Sequence, residues 1–373
     1  MSERVLVTGG AGFIGSHLAD ALLTRGDEVR VLDDLVPEAH PERKARFVPP
    51  GADLVVGDLR DPAAVNRALE GVEVVHHLGG IVGNGKSMLE VRRTVDVNVV
   101  GTATLLEGIV ARRDRIRRLV VASSMAAYGD GAYRCAEHGA VARVRRTDER
   151  LASGLWEPLC PRCEREVEPI ATSEDHPLCP ISVYGVSKRD QEELCLSVAR
   201  AHAIPTIALR YLNTYGSRQT LGNPYTGVAA LMATRLLSGR RPTIFEDGKQ
   251  RRDLVHVSDV VRATIAAGAA PERAWYQAFN VGTGRSVTVV ELAKLISRAL
   301  GRDLEPEMTG EHRAGDIRHC FADVTRAREL LGFAARVSLS DGASELVDWA
   351  AGERALDSSE RANAELRARG IIR

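Results

Sequence analysis

The residues with the most chemical content are Tyr184 and Lys188, in the run Tyr184-Gly185-Val186-Ser187-Lys188. On a helix, i,i+4 spacing brings both side chains to one face. A nearby ammonium favours tyrosinate, and a tyrosinate can take a proton from a substrate hydroxyl. Upstream, the apolar run Leu119 to Ala122 ends in Ser123-Ser124. Ser124 can hydrogen-bond the same hydroxyl oxygen and orient it. A second reactive group is Cys135, His138, Cys160 and Cys163, spaced C-x2-H-x21-C-x2-C. Thiolates and an imidazole at these spacings suit a tetrahedral zinc ion. An unmetallated loop of reduced, exposed thiols is the other reading of the same residues.

The elements that must position these groups begin at the N-terminus. An apolar strand, Arg4 to Val7, runs straight into Thr8-Gly9-Gly10-Ala11-Gly12-Phe13-Ile14-Gly15. A helical pattern follows from Ser16 to Arg25, with Leu18, Leu22 and Leu23 inward. A second strand, Glu28 to Leu32, ends at Asp33. Strand, glycine turn, helix, strand and acid together form the dinucleotide-binding fingerprint. Gly9 allows the tight turn, Gly12 lets the backbone approach a pyrophosphate, and Gly15 lets the helix pack on the sheet. Free N–H groups at the helix start hold the phosphates. Asp33 lies 18 residues beyond Gly15, placed for a ribose hydroxyl pair. An acid there repels a 2'-phosphate, which favours NAD over NADP. Asp34 could do the same work, or be a solvated turn residue. The positive nicotinamide of NAD would add to the effect of Lys188 on Tyr184.

Further strands are expected at Leu54 to Val56, Val72 to His76 and Arg118 to Ala122, with a helix from Val95 to Ala111 before the last. This alternation implies an α/β fold, a Rossmann-type doubly wound parallel sheet. Asp58, in Gly57-Asp58-Leu59, ends its strand on the cofactor side; an adenine contact and a simple turn cap remain open.

The chain has 373 residues, 44% of them hydrophobic and 27% charged, which excludes disorder, collagen and coiled coil as whole-chain descriptions. Lys+Arg and Asp+Glu balance at 50 each, so no net field draws the chain to nucleic acid or an anionic membrane. No apolar run reaches membrane-spanning length and no signal pattern opens the sequence, so a cytoplasmic location and no membrane partner are expected. Four arginines lie between Arg143 and Arg150; they read as solvated surface, since aromatic residues are scarce.

These motifs resemble the extended short-chain dehydrogenase/reductases, in particular the NAD-dependent nucleotide-sugar epimerase/dehydratase group. The likeness runs from Val5 to about Asp348. It rests on Thr8 to Gly15, Asp58-Leu59, Ser123-Ser124 with Tyr128-Gly129, and Tyr184 with Lys188. Arg210 to Gly216, Arg252 to Val257 with Asp259-Val260, and Phe279 to Gly282 extend it. The resemblance implies an NAD domain over 1–210 and a smaller domain, mainly 211–350, for an NDP-sugar. Some segments of the latter return to the first domain, and 351–373 reads as a polar helix or tail. It implies cofactor contacts from Gly9, Gly12, Phe13, Ile14, Gly15, Asp33, Asp58, Leu59, Asn98, Tyr184 and Lys188. Tyr184 resembles the base, Lys188 its activator and ribose ligand, and Ser124 the hydroxyl-orienting residue. Asn213, Arg252 and Arg313 resemble the diphosphate contacts; two guanidinium forks suit two phosphoryl groups. The Asn223 to Val228 segment is expected to flank the nucleotide, and a homodimer through helices including that of Tyr184 is implied.

Within the group, 4,6-dehydratases carry Thr-Asp-Glu at the catalytic hydroxyl. Here Ser124-Met125-Ala126 supplies no carboxylate, which favours a 4-epimerase acting through a transient 4-keto sugar. The segments Val82 to Glu90, Asn98 to Glu107 and that around Cys135 resemble bacterial dTDP-L-rhamnose 4-epimerases. A UDP-hexose or UDP-uronic acid 4-epimerase, or a 4-keto-sugar reductase, is the alternative. A protein that binds NAD without turnover is a third reading, against which intact Tyr184, Lys188 and Ser124 stand. Fifty-six positions separate Tyr128 from Tyr184, more than simpler members have. The excess, about 130–178, holds the cysteine pattern, and metal could supply its folding energy as a zinc-ribbon-like insertion. Cys179 reads as a lone residue, and Cys195 and Cys320 as packing residues.

Overall fold

The computed structural model describes residues 2–221, 223, 227–302, 304–353, 357 and 359–373. Its centre is a seven-stranded sheet: β1 (Arg4–Thr8), β2 (Glu28–Asp33), β3 (Asp53–Val56), β4 (Val74–His77), β5 (Arg118–Ser124), β6 (Thr206–Tyr211) and β7 (Gln277–Val281). All neighbours run parallel, in the order β7-β6-β5-β4-β1-β2-β3. Both faces of a parallel sheet are covered, so its central strands are largely buried apolar runs, while β2 alternates at its start and edge strand β3 keeps exposed residues. Val5 and Val7 of β1 pack toward helices Phe13–Arg25 and Val257–Gly268, while Leu6 packs toward the opposite layer. That layer contains helices Pro62–Ala68, Gly101–Val110 and Val183–Ala201. Strand order reverses between β1 and β4, and ligands of such sheets bind beyond the carboxyl ends at that point.

The expected strands are present with shifted ends; Ser123 and Ser124 belong to β5 itself. Before β5, the helix runs from Val91 through a wide π turn at Asp96–Val100 into Gly101–Val110. The Val257–Gly268 helix and β7 belong to the large sheet layer despite their late place in sequence.

A smaller lobe packs helices Val228–Leu237, Val289–Ala299 and Leu339–Ala351 around Met232, Leu236, Leu292, Ile296 and Leu346. The polar helix Ser359–Ala368 docks through buried Ala362 and Leu366, and Ile372 beyond it bridges to Arg313. Ser358 and, from the segment expected to flank the nucleotide, Pro224, Tyr225 and Thr226 lie outside the described residues.

The insertion leaves the body at Gly131, whose N–H donates to His319 O at 2.8 Å, and returns at Thr172, whose N–H donates to Phe321 O. Its strands Tyr133–Cys135, Gly139–Val141 and Glu168–Pro169 form a separate antiparallel sheet. Its core is small: Tyr133, Cys135, Val141, Cys160 and Val167. Three of the Arg143–Arg150 arginines form ion pairs, with Glu164, Glu246 and Glu166. Arg146 departs from the solvated expectation, being 10% exposed in its pair with Glu246. Among the described residues, no helix is long and apolar enough to cross a membrane.

Candidate functional site

A cavity of about 450 Å³ opens beyond the carboxyl ends of β1, β4 and β5. At one end lies the turn from β1 into helix Phe13–Arg25. A Cβ on Gly15 would stand 2.2 Å from the Gly9 carbonyl oxygen, so only glycine lets this helix sit so close to the turn. The helix cap, Gly12, has no side chain to satisfy the first N–H groups. Gly12 N–H donates back to Gly9 O, and those of Phe13, Ile14 and Gly15 have no acceptor among the described residues. They are the unsatisfied donors of a helix start and attract anions. Gly9, Gly12, Phe13, Ile14 and Gly15 all line the cavity.

Three carboxylates follow along its wall: Asp33, Asp34 and Asp58, with Leu59 beside them. Asp33 is nearly buried. It accepts from Ala11 N–H at 3.1 Å and Leu35 N–H at 2.9 Å, and His40 Nε2 stands 3.4 Å away. Burial raises the Asp34 carboxyl, and the charges of Asp33 and Asp58 add to this. Such a wall opposes a further phosphate. Asp58 binds the Arg60 side chain at 2.6–3.1 Å and the Arg60 N–H at 2.8 Å. It therefore caps its turn and also borders the cavity. His40, absent from the sequence reading, lies in a loop with no periodic or motif signal.

At the other end Ser124, Tyr184 and Lys188 come together on the cavity wall. Ser124 closes β5 and accepts from Ala126 N–H at 3.1 Å, which turns the chain sharply after the strand. Helix Val183–Ala201 is capped by Ser182, whose Oγ accepts from Gly185 N–H at 3.1 Å. Ser182 also donates to Asn84, and Tyr184 N–H donates to Ser87, both at 3.0 Å. A Cβ on Gly185 would lie 2.4 Å from Ala126 O, so this glycine lets the helix close on the turn after Ser124. Further down, Glu192 forms a buried ion pair with Arg210 of β6, 2.6 Å at its shortest. Arg210 also donates to the Tyr128 hydroxyl, which donates to Asn280.

One electrostatic expectation changes. Burial pushes the Tyr184 hydroxyl up, and its hydrogen bond with Ser124 pulls it only partly back. Lys188 Nζ donates to Ala122 O at 2.9 Å, and burial pushes this ammonium down to about 8. The lysine is thus anchored to β5, and desolvation dominates the phenol.

Three other expected contacts are not on the cavity wall. Asn98 is fully buried, its amide donating to Ile81 O and Ser187 Oγ and accepting from Ile81 N–H. The π turn that carries it aims the amide at the loop after β4, so it holds the cavity wall from behind. Arg252 sits one contact back: its guanidinium donates to the carbonyls of Arg251, Ile317 and Arg318, of which Ile317 lines the cavity. Arg313 lies over the Phe245 ring at 4.8 Å and 3.7 Å from Asp316, near Gly85 beside the rim residue Asn84. Asn213 does line the cavity, and its Oδ1 is buried without a partner among the described residues. Of the expected nucleotide flank, Asn223 and Gly227 line it too.

In the insertion, the sulfur atoms of Cys135, Cys160 and Cys163 and a ring nitrogen of His138 lie within 4.8 Å of one another. Cys135 Sγ is 3.6 Å from both His138 Nδ1 and Cys163 Sγ, and Cys160 Sγ is 3.6 Å from His138 Nδ1. None of the six cysteines is in a disulfide. Cys195 and Cys320 pack in the cores, and Cys179 receives a hydrogen bond from Arg143.

A doubly wound parallel sheet with a glycine turn at its switch point and a Tyr-x3-Lys helix beside it defines a dinucleotide-dependent enzyme of the short-chain dehydrogenase type. Residues 5–143 and 161–282 match the NAD dependent epimerase/dehydratase family, and the chain belongs to it. At the family level it is an NAD-dependent enzyme that epimerises a nucleotide sugar. It is 33% identical over 362 residues to the dTDP-L-rhamnose 4-epimerase of Burkholderia thailandensis, spanning 94% of this chain and 96% of that one. It is 34% identical over 355 residues to the UDP-glucose 4-epimerase of Mycolicibacterium smegmatis, spanning 93% and 98%. Among solved structures, the Thermotoga maritima UDP-glucose 4-epimerase with UDP-glucose superposes with a TM-score of 0.76 at 32% identity, over 93% of this chain and 98% of that one. The Thermus thermophilus UDP-glucose 4-epimerase complex with NAD gives 0.73 at 30%, over 94% and 99%.

Proposed function

We propose that this enzyme inverts C4 of a dTDP-6-deoxyhexose, of the dTDP-L-rhamnose/dTDP-6-deoxy-L-talose type, through a transient 4-keto sugar. The observation that carries the epimerisation is the constellation Ser124, Tyr184 and Lys188 on one cavity wall, followed by Met125 and Ala126, which offer no carboxylate for water elimination. The sugar rests on the relative from Burkholderia thailandensis and on the Val82–Glu90 and Cys135 segments. A UDP-hexose is the second reading, favoured by the UDP-glucose 4-epimerases of similar identity.

The turn fits NAD. Gly9, Gly12 and Gly15 leave room for a pyrophosphate on the open N–H groups of Phe13 to Gly15, and Asp33 on the same wall would hold the ribose hydroxyls. Asp58 and Leu59 would border the adenine, and Lys188 would hold the second ribose. When bound, NAD supplies the hydride acceptor and donor at C4 and a positive ring that favours tyrosinate. Tyr184 then takes the C4 hydroxyl proton, and Ser124 holds the same oxygen. Asn213 on the wall, with Arg252 and Arg313 just behind it, would keep hold of the diphosphate while the flat sugar turns. Asn98 would act by fixing the Gly80–Ile81 loop of the cavity wall.

The cysteine cluster fits a structural zinc ion. Metal–ligand distances near 2.3 Å for sulfur and 2.0 Å for nitrogen put neighbouring ligands about 3.5 to 3.8 Å apart, and three pairs here stand at 3.6 Å. A core of five buried residues gives the insertion a second reason to need metal. Thiol ligands also suit a reducing, cytoplasmic location. A homodimer is supported by exposed Val91, Val95 and Val100, which run along the helical stretch packed against Val183–Ala201.

The test is incubation with a panel of dTDP- and UDP-hexoses, read by NMR for inversion at C4 without added cofactor. Inversion of a dTDP-6-deoxyhexose in preference to UDP-hexoses supports the first reading. Net NADH accumulation matching the sugar consumed would replace epimerisation with oxidation.

A further inference from the structure

The insertion reaches the substrate side of the molecule through three side chains. Glu157, three residues before Cys160, accepts from Arg318 at 2.5 and 3.2 Å. Its other oxygen accepts from His319 Nε2 at 2.9 Å. Because His319 Nδ1 accepts from Arg251 N–H at 3.0 Å, the ring proton sits on Nε2 and points at Glu157. Arg146 donates to Asp316 O at 3.3 Å and pairs with Glu246. Tyr133, two residues before Cys135, meets the His319 ring edge-on at 6.0 Å.

Arg318 is the largest fully buried side chain, and it is held by three carboxylates: Glu157, Glu246 and Asp247. A buried guanidinium so enclosed fixes its own backbone, since moving it would strand charge in the interior. That backbone is what Arg252 uses. Arg252 donates to the carbonyls of Ile317 and Arg318, and among the described residues no carboxylate pairs with it. Its geometry is set by neutral acceptors, and the carboxylates of Asp316, Glu246 and Asp130 act on its charge only at longer range, so an anion can pair with it directly.

We propose that Glu157 is a positioning residue for substrate: through Arg318 and His319 it fixes Arg252, so the metal-bound insertion sets affinity for the nucleoside diphosphate. Two relays converge, one through the carbonyls of Ile317 and Arg318 and one through His319 to the Arg251 backbone. Cys135, His138, Cys160 and Cys163 hold the segment that presents Glu157. The inference rests on the reading of Arg252 as a diphosphate contact and of the cluster as a metal site.

The experiment uses the full chain with bound NAD and compares wild type, Glu157→Gln, Arg252→Ala and Cys163→Ser. UDP and dTDP binding is measured by calorimetry, and uridine and thymidine are measured as competitive inhibitors. Zinc and NAD contents are measured on the same samples. Glu157→Gln should weaken the preferred diphosphate about tenfold, the effect of losing one charge-assisted contact. The nucleoside, NAD content and kcat should stay near wild type while KM rises. Cys163→Ser should lose zinc and show the same diphosphate-selective weakening. If Arg252→Ala weakens the diphosphate and Glu157→Gln does not, the relay is wrong and the reading of Arg252 stands. If Arg252→Ala leaves diphosphate binding unchanged, that reading fails and the relay fails with it. Wild-type binding by zinc-free Cys163→Ser enzyme would overturn the metal's part alone.

Discussion

Lys188→Met should make the NAD-free protein more stable at neutral pH. Lys188 is buried, and that burial lowers its pKa from 10.5 to about 8. Keeping the ammonium in this site at pH 7 therefore opposes folding by roughly 3 kcal/mol. Methionine removes the charge at similar length but gives up the 2.9 Å hydrogen bond to Ala122 O, worth about 1 kcal/mol. The net gain is about 2 kcal/mol, which for a chain of this size raises a single unfolding midpoint by roughly 2 to 3 °C. The sign with pH follows from the depressed folded-state pKa. Between about 8 and 10.5 the unfolded chain holds the proton that the folded chain has released, so wild type gains stability as pH rises through that window. By pH 9.5 the opposing contribution falls to about 1.5 kcal/mol, and the advantage of methionine nearly vanishes. Thermal denaturation of both NAD-free proteins at pH 7 and 9.5 reads this directly. A lower midpoint for Lys188→Met at pH 7, or a difference that does not close by pH 9.5, would refute the reasoning.

Tyr184→Phe keeps the ring and removes the hydroxyl. Turnover should fall by about 10²–10⁴ or more with NAD content unchanged by absorbance, and retained full turnover would exclude Tyr184 as the base. Gly15→Ala places a Cβ 2.2 Å from Gly9 O, so the turn must move away from the helix; co-purified NAD should drop severalfold, and wild-type occupancy would contradict the phosphate-turn reading. Elemental analysis of protein purified without chelator should find about one zinc per chain, the stoichiometry of a four-ligand structural site. Prolonged chelation should make Arg145 to Glu168 protease-sensitive while the sheet domain resists. A metal-free protein with a protease-resistant insertion would contradict the assignment.

The features legible in the sequence are those fixed by local geometry. A glycine turn between strand and helix can be read because backbone sterics dictate where a side chain is forbidden. Tyr184 and Lys188 can be read because helical periodicity puts them on one face, and the capped helix Val183–Ala201 obeys it. The place of Asn98, expected at the cofactor from the resemblance alone, cannot be read this way. The π turn at Asp96–Val100 breaks the helical register, and the amide points into protein rather than the cavity. The electrostatics of Tyr184 could not be read from spacing either, because desolvation depends on what packs around the phenol.

The arginines mark where residue type stops being sufficient. The resemblance marks Arg252 as an anion contact, but the direction of its guanidinium is set by carbonyls 65 and 66 positions away. Glu157 carries no motif, and its partner Arg318 lies 161 positions further on. No periodicity joins them; only the return of the insertion against the Asp316–His319 segment does. The cysteine pattern, by contrast, is local within each knuckle, and its spacing was readable while its purpose was not. A metal-bound insertion would have no part in the proton chemistry of Tyr184. Placed against the backbone that orients Arg252, on the proposed relay it would help hold substrate. The turning of a sugar at fixed diphosphate demands a rigid phosphate grip more than a rigid sugar pocket. The rigidity of the insertion, through Glu157 and Arg318, is therefore directed at the end of the substrate that must not move.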